Sequence, residues 1–429
     1  MFKKTVLSIV LATTMIFTMI GCSSSAGEAG DTAAGENKKV EIEFWYSLGG
    51  DTGNFIEAMA NEFNNVQDNI KVTATYQGDY YENHAKVMAA IASNTQPDIT
   101  MVEIASIAAF ADAGALEALD EYAAKESAGF LDDYVTGLMS NSYWKNNLYA
   151  MPFARSTPLL YLNVDMLKAN GLNPAGPKTW DELQEFARTM TKDNVYGFAT
   201  PIDIWFYEAL TFQNGGNILS EDGTQAIFNS KEGVEPIEFW QNMIKEGSMK
   251  MPPGEKYNAW DVARQDFVNQ NVGMIFTSTG SLKGLLEQSE FEVGTAFLPA
   301  KKDFGVPTGG ANLVVLSKSS DEKKQAAWEF IKYMTSTENS GLFSKATGYM
   351  PVRTSSINSA EMEAFYKEYP QFTVAINQLD YAKRRPMAPG YRELQEIIMK
   401  EIQRAVIDDT MSPQDALNTA AEEAQKLLK

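Results

Sequence analysis

Apolar and polar residues alternate through VEIEFWY (40–46), with Val40, Ile42, Phe44 and Tyr46 on one side and Glu41, Glu43 and Trp45 on the other. A period of two predicts a strand. Gly49, Gly50 and Gly53 then make a turn. Asp51 or Thr52 is placed to cap a helix whose face carries Phe55, Ile56, Met59, Ala60 and Phe63. IKVTATY (70–76) predicts a second strand ahead of another helix, and DITMVEI (98–104) predicts a third. Strand and helix in alternation favour an α/β sheet over a sandwich.

Past PFARSTPLLYLN (152–163) the pattern turns helix-rich, with TWDELQEFARTM (179–190) starting from Thr179. NVGMIFTSTG (271–280), FEVGTAFLP (291–299) and ANLVVLSK (311–318) predict further strands. DEKKQAAWEFIKYM (321–334) predicts a helix capped by Ser320. SPQDALNTAAEEAQKLL (412–428) predicts another, with Ser412 as cap and Pro413 at the first helical position. No repeat of fixed period runs through the chain.

The first residues follow a different logic. Lys3 and Lys4 precede an apolar run from Val6 to Ile20, then Gly21 and the only cysteine, Cys22. This is the layout of an export signal. A cysteine directly after a small residue resembles the lipobox of bacterial lipoproteins, although Met19 stands where leucine is usual. The resemblance implies a lipid on Cys22. Ser23–Lys39 has no aromatic or large aliphatic residue, so it cannot offset its ordering entropy by burial and reads as a flexible tether. No later stretch approaches the ~18 apolar residues a spanning helix requires.

Composition then narrows the function. A chain that is 44% hydrophobic supports sizeable cores, and a formal charge of −20 argues against nucleic acid and anionic membrane surfaces as partners. With His84 the sole histidine and Cys22 committed to lipid, no zinc site and no cofactor are expected. His84, within ENHAKVMAAIA (82–92), is expected on a surface or in a cap rather than in catalysis. GLNPAGPK (171–178) fails as a phosphate loop because Pro177 replaces the lysine.

Several segments together resemble the extracellular solute-binding proteins of ABC importers, in the carbohydrate-type class and most specifically its sn-glycerol 3-phosphate/glycerophosphodiester-binding branch. They are FWYSLGGDTG (44–53), YQGDYYEN (76–83), PFARSTPLLYLN, KTWDEL (178–183), TSTGSL (277–282), GGANLVVLSK (309–318), TGYMPV (347–352) and SPQDALNTA (412–420), in family order. The resemblance implies a two-lobed, periplasmic-binding-protein-like α/β fold with crossover hinge strands and an interlobe ligand cleft. It implies no catalysis.

The expected organisation is a signal peptide at 1–21 and a lipidated tether at 22–39. The first lobe is expected at 40–153 plus 301–350 and the second at 154–300 plus 351–429. Crossings are expected near Ala154–Ser156, Leu298–Lys301 and Pro351–Arg353. The implied partners are a small carbohydrate-class solute, the transmembrane subunits of an ABC permease, and the membrane through the lipid anchor. The protein is expected to be a monomer exported to the outer face of the cell membrane.

The same resemblance carries over Tyr80, Glu103, Ser156, Ser278, Gly310 and Tyr349 as ligand-binding residues. Glu103 would accept bonds from hydroxyls, and Tyr80 and Tyr349 would stack or donate. Ser156 and Ser278 would bond oxygens from the opposite wall, and Gly310 would let backbone N–H approach. Trp205 is a stacking candidate, with Ile202 the nearer match in register; Trp45 and Trp260 are open to either stacking or packing. One departure stands out. Ungapped alignment through SPQDALNTA puts Glu396 where the branch has a phosphate-holding arginine. Arg392, one turn away on the same helix face, is the candidate substitute, with Arg155, Lys383, Arg384 and Arg385 as further cations. If none substitutes, a neutral sugar is the alternative ligand. A glycan-active surface enzyme and a glycan-docking adhesin without a transporter are the rival functions.

Overall fold

The alternation at the start of the chain is realised as β1 (Val40–Tyr46), with Ile42, Phe44 and Tyr46 turned into the core. In the computed structural model, which describes residues 39–252 and 258–428, it is followed by β2 (Ile70–Tyr76) and β3 (Ile99–Glu103). A hairpin of β4 (Tyr143–Trp144) and β5 (Asn147–Leu148) leads to β6 (Met151–Ser156). β7 (Pro158–Asn163), β8 (Tyr196–Ala199), β9 (Met249–Lys250), β10 (Val272–Ser278) and β11 (Val293–Ala296) come next. β12 (Val306–Pro307), β13 (Gly309–Val315) and β14 (Ala382–Lys383) complete the strands. The leader, Cys22 and the tether up to residue 38 lie outside the described residues. Among those described, no helix is long and apolar enough to cross a membrane.

Two five-stranded sheets result, ordered β2-β1-β3-β13-β6 and β11-β7-β10-β8-β9. In the first, β1 lies parallel to β2 and β3, while β13 returns antiparallel to both β3 and β6. In the second, β10 runs antiparallel to β7 and parallel to β8. Every residue of β6 and β7 is buried, as strands covered on both faces must be. Helices 321–334 and 337–347 cover the first sheet. Helices 180–190, 204–213, 231–245 and 391–406 cover the second.

Thr179, Ser320 and Ser412 cap their helices as the pattern predicts, each oxygen accepting a backbone N–H of the first turn. The helix at 50–66 differs: Gly49 is its N-cap, without a side-chain bond, and Asp51 sits in the first turn. There the carboxylate still favours the positive helix end.

The chain changes lobes at Thr157, because β6 pairs within the first sheet as far as Ser156, opposite Gly309. That is three residues beyond the expected boundary. It returns through β12 and β13, and β12 pairs with β14 beside the crossing. Residues 352–354 remain with the first lobe. The Val135 amide donates to the Val352 carbonyl (3.0 Å), and the Arg353 guanidinium lies 4.1 Å from the Tyr134 ring centre.

Arg155 pins this crossing. Its Nε donates to the Gly309 carbonyl (3.0 Å), Nη2 to Thr308 Oγ1 (2.8 Å) and Nη1 to Asn312 Oδ1 (3.1 Å), with a further bond to the Leu138 carbonyl. Burial pulls its pKa down to about 9, with Glu103 opposing, so the group stays charged at neutral pH. Lysine cannot replace this planar set of donors. Arg155→Met should therefore destabilise the protein by at least about 3 kcal/mol, since each buried acceptor left without a donor costs about 1–3 kcal/mol. Urea denaturation of the two proteins would measure it.

Candidate functional site

Between the two sheets lies a cleft of about 1140 Å³, and Tyr80, Glu103, Ser156, Trp205, Ser278, Gly310, Tyr349 and Arg392 all line it. This volume exceeds the upper end of the common pocket range, ~1,000 Å³. Residues as distant in the chain as Tyr80 and Arg392 thus share one surface only because the chain crosses between lobes.

On the first lobe, Gly78 takes a left-handed conformation (φ +97°) that turns β2 into the helix Tyr80–Ser93. Asp79 caps that helix through bonds from the Tyr81 and Glu82 amides (2.8 and 2.9 Å), and this sets Tyr80 and Tyr81 against the cleft. One turn on, His84 also lines the cleft, with its ring 4.8 Å from Phe110. It is neither a cap nor an outward-facing residue, in contrast to the sequence expectation. Burial, and then the charge of Arg392, lower its pKa and keep the imidazole neutral.

The second lobe contributes aromatic surface. Asp203 caps the helix Ile204–Gln213 by accepting from the Trp205 amide (2.8 Å), and its other oxygen accepts from Trp260 Nε1 (3.0 Å). The two indoles stack at 6.2 Å and 23°. Trp205 Nε1 donates to the Pro307 and Thr308 carbonyls (3.2 and 3.3 Å), so the ring is fixed to the crossing strand. Burial raises the pKa of Asp203, with its two donors opposing.

Glycines make room for these rings. A Cβ on Gly309 would come 2.4 Å from Trp205, and one on Gly280 would come 2.7 Å from Tyr349. Gly310 has φ +87°, and a Cβ there would meet the Ala154 carbonyl at 1.9 Å. Ser278 is partly engaged, since its Oγ accepts from the Gly280 amide (3.1 Å). Tyr349 has its pKa raised by burial and shares a hydrogen bond with Tyr80.

The cations divide clearly. Arg385 lines the floor but is held by Glu208 (2.7 and 3.0 Å) and Glu103 (2.5 Å). Arg155 is fully buried and, with Lys383 and Arg384, stands outside the cleft lining. Arg264 and Lys283 line the cleft and pair with Asp261 and Glu287. Arg392 presents its guanidinium 3.3 Å from the Tyr81 ring centre, and its side-chain hydrogen bonds among the described residues go to Gln395 (3.2 Å) and Glu396 (2.9 Å) of its own helix. The Glu396 side chain is 62% exposed and stands outside the cleft lining. The acid at the anomalous position therefore faces water, and the arginine one turn earlier faces the cleft.

Sequence reading missed Asp203, Tyr81 and His84 as lining residues, and missed the Arg385–Glu208–Tyr391 cluster. Asp203 carried a legible signal, a carboxylate directly before an apolar helical run. Trp45 packs against an apolar cluster of the first lobe, away from the cleft. Among the described residues no group of histidine, cysteine, aspartate or glutamate is placed to hold a metal ion. The site offers hydroxyl partners, aromatic faces and the cleft-facing guanidinium of Arg392, the equipment for holding a polar organic solute.

A family profile described as bacterial extracellular solute-binding protein matches residues 58–374. The chain is 26% identical to the sn-glycerol-3-phosphate-binding periplasmic protein UgpB of Pectobacterium atrosepticum, over 92% of this chain and 93% of that protein. It is 28% identical to the protein of that name from Escherichia coli O6:H1, over 90% and 92%. Among solved structures it is similar to UgpB from Mycobacterium tuberculosis in complex with glycerophosphocholine: TM-score 0.81, 25% identity, covering 90% of this chain and 98% of that one. The GacH receptor of Streptomyces glaucescens, solved unliganded and with acarbose, shares the fold at TM-score 0.81 and 22% identity, over 91% and 98%.

Gly309→Ala should displace Trp205 and thereby shift the tryptophan emission of the unliganded protein. Solute affinity should fall at the same time, because the stacking face is lost. An unchanged spectrum would show that the indole is not held where the crossing strand puts it.

Proposed function

We propose a specific ligand for this chain, which belongs to the bacterial extracellular solute-binding proteins: a glycerophosphodiester, held by its phosphate on Arg392. As the solute-binding component of an ABC transporter the protein captures a sugar or glycerophosphodiester outside the cell, and its fold is the two-lobed fold of that family. The observation that carries the choice of ligand is the outward turn of Glu396 beside a cleft-facing Arg392. A guanidinium suits a phosphate because its planar donors can bond two oxygens at once.

The stacked Trp205 and Trp260 would cover the C–H surface of the ligand. Tyr80, Ser156, Ser278 and Tyr349 would meet its hydroxyls, and the backbone at Gly310 would approach closely. Contacts from both lobes would favour the closed form, and the permease would read that form. No chemistry is performed on the solute. A lipid on Cys22 would hold a monomeric receptor at the outer face of the membrane.

Isothermal titration and thermal-shift measurements with glycerophosphocholine, glycerol 3-phosphate and maltose test the ligand. Only a solute that binds the folded state raises the melting temperature. Glycerophosphocholine should bind, and Arg392→Gln should weaken it about ten- to hundredfold, the worth of a hydrogen bond to a charged group. Binding of maltose alone, or full affinity in the Arg392 variant, would return the site to neutral sugars. The paired indoles favour that second reading. Separately, Cys22→Ser should release the receptor into the medium and abolish its labelling by radioactive palmitate.

A further inference from the structure

Two helices from opposite lobes meet at one side of the cleft. The helix Tyr80–Ser93 is fixed to the first sheet, because Asn83 Nδ2 donates to the Met101 carbonyl of β3 (2.8 Å) and Val87 packs with Val102 and Phe110. The helix Tyr391–Val406 belongs to the second lobe. Leu394 and Ile398 sit in the same apolar cluster as Phe198, and the Tyr391 hydroxyl donates to Glu208 (2.6 Å). Arg392, the next residue, reaches across to the Tyr81 ring.

The cations of the cleft are held in two ways. Arg385, Arg264 and Lys283 each turn donors onto a carboxylate, which uses up the N–H groups a solute would need. Arg392 instead lies over an aromatic ring, its guanidinium carbon 3.3 Å from the ring centre. At that separation the contact is face to face, because an edge-on guanidinium would drive a nitrogen into the ring. Stacking spends no donor, since the N–H groups lie in the guanidinium plane and point out from its edge. Gln395 and Glu396 take one bond each from Nη1 and Nη2, and a guanidinium carries more N–H groups than those two.

An opposing pull comes from Glu396. It pairs with Arg392 at 2.9 Å across one helical turn, and its side chain is 62% exposed against 15% for Arg392. The flexible arginine stem would follow that carboxylate outward if nothing held it on the cleft side. Exposed helix pairs of this kind are weak, so a cation–π contact of ordinary strength is enough to decide the position. Burial, and then the Asp203 carboxylate, raise the pKa of Tyr81, so the ring remains a neutral phenol at physiological pH.

We propose that Tyr81 is the positioning residue that selects for anionic solutes: its ring holds the Arg392 guanidinium by the face, keeps it in the cleft against Glu396, and leaves the N–H edge for a phosphate. This rests on Arg392 as the phosphate holder and adds what aims that cation. Removing the ring lets the guanidinium swing toward water, and the anion loses its partner although the arginine is still present.

The test measures glycerophosphocholine affinity by isothermal titration in the wild type, Tyr81→Phe, Tyr81→Leu, Arg392→Gln and the combined Tyr81→Leu/Arg392→Gln protein. Tyr81 is half-buried in the first turn of its helix and belongs to no apolar cluster among the described residues, so these variants leave both cores intact. Tyr81→Phe keeps the ring and should keep most of the affinity. Tyr81→Leu should lose about three- to thirtyfold, the range of a cation–π contact, and no more than Arg392→Gln loses. The combined protein should match Arg392→Gln alone, because a ring that acts through the arginine adds nothing once the arginine is gone. Glu396→Gln added to Tyr81→Leu should recover part of the loss. Full affinity in Tyr81→Leu would overturn the role. So would losses that multiply in the combined protein, or a Phe variant as weak as the Leu variant, since Tyr81 would then touch the solute itself. A wild type that binds no phosphodiester is a separate failure, of the ligand assignment, and it takes the selector role with it. Additive stability losses for the two single variants in urea, measured without solute, would overturn the ring–guanidinium contact alone.

Discussion

Arg155 is fully buried between the two sheets, and among the described residues no carboxylate lies within ion-pair distance of it. Its charge is met instead by two main-chain carbonyls, a threonine hydroxyl and an asparagine amide. These partners come from β13, from Thr308 just ahead of it, and from the short helix Thr136–Met139. Removing a charge from water is tolerable only when nearly every donor is satisfied, so the guanidinium dictates where those segments sit relative to one another. Ser156, Gly309 and Gly310 follow directly. Trp205 follows too, because its indole hangs from the same strand through the Pro307 and Thr308 carbonyls.

Much of the fold was legible because local chemistry and global topology agree. β1 announces itself by strict alternation, and the helices capped by Thr179, Ser320 and Ser412 begin where their caps predict. The helix Ile204–Gln213 left no trace beyond its cap, Asp203, for a physical reason. It is buried on every side, so it has no polar face and no period to detect. The lobe boundary was misjudged by three residues because an all-buried strand looks alike on both sides of a crossing.

The site was legible to a different degree. Residues carried over from the family resemblance converge on one surface, since a shared fold preserves position even at modest identity. What sequence could not provide was the direction of a side chain within a helix turn. Glu396 and Arg392 lie one turn apart on the same face of one helix and pair at 2.9 Å, and only their depth along it relative to the cleft decides which of them meets the solute. In the same way, Arg384 and Arg385 are adjacent in the chain, yet one lies outside the cleft lining and the other is clamped between two carboxylates.

Gly280, Gly309 and Gly310 have a consequence for how such a receptor changes ligand over evolutionary time. The aromatic surface of the cleft is shaped by side chains that are missing as much as by those present, because each absent methyl is filled by a ring or a carbonyl from behind. A single added carbon at Gly309 or Gly280, both in the cleft lining, would tip an entire ring while leaving every other lining residue type unaltered. Two descendants of this chain could therefore diverge in what they import although their aromatic and polar lining residues read identically.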